Sequence, residues 1–152
     1  MNITIYDVAN GFLTKGPMSH KKLQKLCYYA YAWNWALNNQ PLVKSDFEAW
    51  IHGPVCSQLY NYYRGFGWND IPQQSCLPKS IDENEMVKDL INEIYRIYGD
   101  FSGDELELIT HSELPWIEAR EDLQPWDIST NKISEATMAS FYLNLLQSES
   151  NV

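Results

Sequence analysis

Between Ser19 and Asn39 the chain reads SHKKLQKLCYYAYAWNWALNN, and no other stretch restricts the fold as tightly. Leu23, Leu26, Cys27, Ala30, Trp33 and Leu37 recur at helical spacing along one side. Tyr28, Tyr29, Tyr31 and Trp35 make the remaining sides apolar as well, and Lys21, Lys22 and Lys25 are confined to the first two turns. Ser19 is placed to cap the N-terminus, and Met18 to pack against Leu23. A helix that is apolar nearly all round cannot face water; it belongs at the centre of a domain or beneath a partner. The rest of the chain must supply its cover.

That cover reads as further helices with clear punctuation. Thr4 and Asp7 form a capping signature ahead of Ile5, Val8, Ala9, Phe12 and Leu13, and Gly16-Pro17 stops that helix. Pro41–Val43 and Phe47–Ile51 look extended. Gly53 then frees the backbone, and Pro54 suits the first turn of a third helix carrying Val55, Leu59, Tyr60, Tyr63 and Phe66. A long loop follows, GFGWNDIPQQSCLPKS. Asp82 with Glu85 opens a fourth helix that Gly99 ends; Ser102 with Glu105 repeats the capping box. Pro115 starts a short helix, and Ser134 caps a last one with Met138, Phe141, Leu145 and Leu146 facing inward. The expectation is a mainly α, compact single domain of six to seven helices over residues 3–147, with room for a two- or three-stranded antiparallel sheet. Residues 148–152 read as a flexible C-terminal tail.

Hydrophobic residues make up 45% of the 152, enough to exclude a disordered chain. No apolar run reaches ~18 residues, so no membrane span is expected. The start, MNITIYDVAN, lacks the basic and apolar regions of a signal peptide, which points to a cytoplasmic protein. The net charge is −9, unevenly spread: residues 1–76 hold six Lys/Arg against four Asp/Glu, and residues 77–152 hold five against sixteen. An acidic half repels phosphate backbones and favours solubility or a basic protein partner, so direct nucleic-acid binding is not expected.

Reactive chemistry finds little support. Glu48 and His52 would be i,i+4 metal ligands on a helix, but Gly53-Pro54 argues against a helix there, and His20 and His111 lack ligand-spaced partners. Cys27, Cys56 and Cys76 contain no C-x-x-C pair, and reduced, packed thiols are the expectation. Cys56, near a helix N-terminus and close in sequence to His52, is the better candidate nucleophile, yet no enzyme signature surrounds it. GFLTKG and GFGW lack the spacing of a phosphate-binding loop. No catalytic residue, metal or cofactor is assigned.

Taken in order, KKLQKLCYYAYAWNWALNNQPL, DFEAWIHGPV and LITHSELPWIEAR resemble the signature of the Panacea domain, the SocA-like, phage-associated GepA-type antitoxin family. The pattern falls on Lys22, Leu23, Lys25, Leu26, Tyr28, Tyr29, Pro41, Leu42, Ala49, Trp50, Gly53, Pro54 and Val55. It continues through Thr110, His111, Pro115, Trp116, Ala119 and Arg120, so the resemblance covers about residues 5 to 146. It implies an antitoxin, and not an enzyme, that neutralises a cognate protein toxin by direct contact. The toxin would be encoded by an adjacent gene, often in a prophage or other mobile element. An alternative role is a protease adaptor delivering the toxin to an unfoldase; a Cys/His-dependent enzyme is the weaker alternative. The candidate partner-contact residues are Lys25, Tyr29, Trp50, His52, Pro54, His111, Trp116 and Arg120. Gly53-Pro54 is expected to turn sharply into a helix, with Trp50 burying much of its ring to anchor the corner.

Overall fold

The computed structural model describes residues 2–150. Helix α1 covers Ile5–Leu13 and α2 covers His20–Asn38. A hairpin of β1 (Glu48–Trp50) and β2 (Gly53–Val55) leads into α3 (Ser57–Tyr63) and a 3₁₀ turn, Arg64–Phe66. Then come α4 (Lys79–Asp82), α5 (Glu85–Tyr98), α6 (Gly103–His111), α7 (Leu114–Ala119) and α8 (Glu135–Ser150). The fold is mainly α with a two-stranded antiparallel sheet, as the sequence patterning implies. No helix among the described residues is long and apolar enough to cross a membrane.

Helix α2 lies at the centre, and residues 23–34 are buried without interruption. Helices α1, α5, α6 and α8 and strand β2 pack around it, α8 most extensively. Tyr28, Tyr29 and Tyr31 are among the largest fully enclosed side chains, and burying apolar bulk of this size stabilises by about 2 kcal/mol per residue. Leu37 departs from expectation: it is exposed, because α2 outruns the bundle over its last residues. Asn39, at φ 52°, closes the helix in the left-handed conformation.

The caps explain most of the boundaries. Thr4 and Asp7 satisfy each other's backbone N–H groups, as do Ser102 and Glu105, while Ser19 accepts from Lys22 N and Ser134 from Thr137 N. Asp82 does not open α5. It ends the one-turn α4, and Asn84 caps α5 by accepting from Val87 N at 3.1 Å. Both residues are competent caps, and Asn84 is the one aligned with the inward stripe Val87, Leu90, Ile91 and Ile94. On α8 Met138 and Tyr142 are buried, whereas Leu146 is exposed. Helix α8 continues to Ser150, and residues 151–152 of the expected tail lie outside the described residues.

Gly53-Pro54 does not begin a helix. The two residues open β2, with Glu48 opposite Val55, Ala49 opposite Pro54 and Trp50 opposite Gly53, and Ile51-His52 makes the turn. Proline fits here because this register position needs no ladder donor: Ala49 sends its N–H to Asn131 O (2.8 Å) and its carbonyl to Arg120. Cys56, not Pro54, precedes α3. The segment at Lys132 adds a single bridge beside Glu48, supported by Ile133 N donating to Phe47 O (2.8 Å). Pro41–Val43 forms irregular bends rather than a strand, with Leu42 and Val43 buried.

Candidate functional site

The hairpin is held from every side by polar groups from distant elements. From α2, Gln24 docks on Cys56 as a backbone amide would: its side chain accepts from Cys56 N and donates to Cys56 O, both at 3.0 Å. One residue later, Lys25 Nζ donates to Pro54 O at 3.2 Å. Gly53 is required opposite it. At φ 112° it adopts a backbone that side chains disfavour, and a Cβ there would sit 2.6 Å from Lys25 Cε and 3.1 Å from Thr110 Oγ1.

The far edge is held by α7. Trp116 Nε1 donates to Trp50 O at 2.8 Å. His111 stacks on the Trp116 ring at 3.9 Å, and the Arg120 guanidinium lies 5.3 Å from the same ring. Arg120 donates to three carbonyls: Ala49 (2.9 Å), Gln124 (3.2 Å) and Asp127 (2.7 Å). Trp50 donates its indole N–H to Glu48 Oε1 at 2.8 Å and packs edge-on against Tyr60. Over the turn, His52 faces Glu107 at 3.3 Å, and Lys21 pairs with Glu107 (2.5 Å) and Asp104 (2.7 Å).

A second network lies deeper. Glu113 Oε1 accepts from the Tyr29 and Tyr142 hydroxyls, each at 2.9 Å, and Tyr142 OH meets Tyr28 OH at 3.1 Å. Tyr29 stacks on Tyr98 at 3.9 Å, and Tyr98 OH accepts from Trp33 Nε1. Burial lifts the Glu113 carboxyl to about 7 against the two tyrosine donors that hold it down. Burial also pulls Lys25 down to about 7, assisted by the charge of Lys21 and opposed by Glu107. His111 is lowered by burial and by Lys25, which favours the neutral ring stacked on Trp116.

The structure brings seven of the eight candidate residues around the hairpin; Tyr29 lies one turn further along α2, in the Glu113 network. Lys25, Tyr29, Pro54 and Arg120 are buried, Trp50, His111 and Trp116 are half-buried, and His52 is exposed. Only the last four can present surface to another molecule. The chemistry of the buried ones is that of fasteners: their donors meet main-chain carbonyls or a carboxyl inside the protein. Cys56 is enclosed, and burial raises its thiol above the usual range despite backbone donors from Leu59 and Gln58. Its Sγ faces Gln58 and not His52. Among the described residues, no three His, Cys, Asp or Glu side chains are grouped to hold a metal ion.

Sequence reasoning overlooked Gln24, Glu113 and Tyr142. Gln24 carries a signal: a lone polar side chain within an apolar helix needs a buried partner. Glu113 carries none, since an acid ahead of Leu-Pro-Trp reads as surface.

Residues 23–117 match the family described as "Antitoxin SocA-like, Panacea domain". The chain is also similar to Antitoxin SocA of Caulobacter vibrioides, 33% identical over 95 residues, which is 59% of this chain and 45% of that protein. It therefore spans less than half the length of that relative. No solved structure matches significantly.

Proposed function

Because the chain belongs to the SocA-like Panacea domain antitoxin family, we propose that it neutralises a cognate protein toxin by direct binding, in the cytoplasm, with no reaction of its own. The family match over residues 23–117 carries this reading. It is supported by the way the signature residues are used. Lys25, Gly53, Pro54, Trp116 and Arg120 fasten the hairpin into the bundle, a structural use of the signature that calls for no reactive group. The charge of −9 suits a basic partner and repels nucleic acid. The toxin is the product of an adjacent gene, carried with this one on a prophage or other mobile element.

Co-expression tests it. Growth arrest by the adjacent product should be relieved, the two chains should co-purify, and the toxin's half-life should be unchanged. Absence of both rescue and complex overturns the proposal. Rescue with a sharply shortened toxin half-life replaces masking with delivery to a protease unfoldase.

A further inference from the structure

Away from the hairpin, the α1–α3 end of the molecule shows four aromatic rings to water. Trp68 is 98% exposed, Tyr62 67%, Tyr6 38% and Phe66 36%. Tyr6 and Tyr62 lie 5.3 Å apart, and the buried Tyr63 links Tyr62 (4.8 Å) to Phe66 (6.2 Å). Trp68 follows two residues after Phe66. Beside the rings runs an open groove of ≈ 490 Å³, with Asn10, Ile71 and Pro72 on its walls.

The face is built in advance. Ile71 exchanges backbone hydrogen bonds with Met18 (2.8 and 3.2 Å), and Gln74 N donates to Leu13 O. Within the loop, Gly67 N donates to Arg64 O and Asn69 N to Phe66 O. Gly67, at φ 58°, allows the tight turn that lifts Trp68 outward. Holding a whole indole in water on an ordered loop brings the folded chain no packing energy, and exposed aromatic rings gathered at one end of a molecule suit an interaction site.

Charge identifies the occupant. From Ser57 to Pro78 the Asp, Glu, Lys and Arg residues are Arg64 and Asp70 alone, which cancel, whereas residues 77–152 hold sixteen acids against five bases. Phosphate backbones and anionic lipid would need a cluster of cations, and this segment supplies Arg64 alone. A second copy would bring two bodies of charge −9 together. A protein with an apolar contact surface set in a basic body meets both conditions: its charge is drawn by the molecule's field, and its apolar patch covers uncharged rings. Covering the four rings would bury on the order of 500 Å², more than half of the ~800 Å² per partner in a standard interface.

Taking the antitoxin reading as its premise, we infer that this aromatic face, centred on Tyr62 and Trp68, is the surface that grips the toxin. The test uses the full chain and the toxin encoded by the adjacent gene. Trp68 stands wholly in water, so Trp68→Ala should leave the thermal unfolding curve in place, while Trp68→Ala/Tyr62→Ala, which also removes the Tyr62 ring contacts with Tyr6 and Tyr63, should lower the midpoint by only about 2–4 °C. They should weaken toxin binding on the order of 10-fold and 100-fold respectively, and abolish growth rescue in the double variant. Trp126→Ala, at a tryptophan also exposed (72%) on the loop after α7, should bind like wild type. Wild-type affinity in the double variant overturns the inference and leaves the antitoxin reading standing. So does a homodimer by sedimentation that Trp68→Ala dissolves while toxin binding persists. Failure of the wild-type chain itself to bind or rescue removes the premise and the inference together.

Discussion

Glu113 takes hydrogen bonds from Tyr29 and Tyr142 where little water reaches it, and its carboxyl rises from 4.5 to about 7. Folding therefore favours the protonated form: the stabilising contribution is complete below about 4.5 and is lost as pH rises through about 7. Lys25 runs the other way. Pulled from 10.5 to about 7, it contributes fully above 10.5 and loses that contribution as pH falls through about 7. Glu113→Gln should remove the first dependence alone, so its unfolding free energy relative to wild type should improve by on the order of 3 kcal/mol between pH 4.5 and 8. Urea unfolding at a series of pH values measures it, and parallel profiles would refute it. At Gly53, substitution by Ala should cost about 1–3 kcal/mol from backbone conformation, with displacement of Lys25 in addition, read as a lower urea midpoint. The membership of this corner is legible in the sequence, because Trp50, Gly53, Pro54, Trp116 and Arg120 fall in a specific ordered pattern. The burial of Lys25 and Glu113 is not, because such residues are mostly solvated and the Tyr29–Glu113 bond joins positions 84 apart.

Arg120 joins three elements by its fork: β1 through Ala49 O, its own helix end, and the loop through Gln124 and Asp127. Arg120→Ala should cost about 3 kcal/mol by leaving these carbonyls without a donor. Arg120→Lys should recover only part, since an ammonium cannot reproduce the planar fork. Amide exchange should quicken at Ala49 and Ile133, whose N–H groups hold the hairpin to the Asn131–Ile133 segment; unchanged protection would contradict this role. Helix beginnings with a reciprocal cap, at Thr4 and Ser102, are readable from sequence because both halves of the device lie three residues apart. Asp82 misleads because a better-placed Asn84 follows within two residues. Gly-Pro misleads for a different reason: a proline that lacks a donor suits both the first turn of a helix and an unpaired strand position, and only the groups opposite it, here Ala49 and Arg120, decide.

At the scale of the whole molecule, the proposed complex would draw its attraction at a distance from the charge of −9 and its contact from the aromatic face. Raising salt from 50 to 300 mM should slow toxin association about tenfold, while Trp68→Ala should act on dissociation; surface plasmon resonance separates the two rates. An association rate indifferent to salt would count against a basic partner. The arrangement around α2 has another result. Its most extensive cover is α8, residues 135–150, which leave the ribosome long after α2 has emerged. Until then the nascent chain shows a seam of tyrosine and tryptophan to chaperones and proteases. Chains cut short before α8 should therefore leave that seam uncovered and be degraded faster than the full chain.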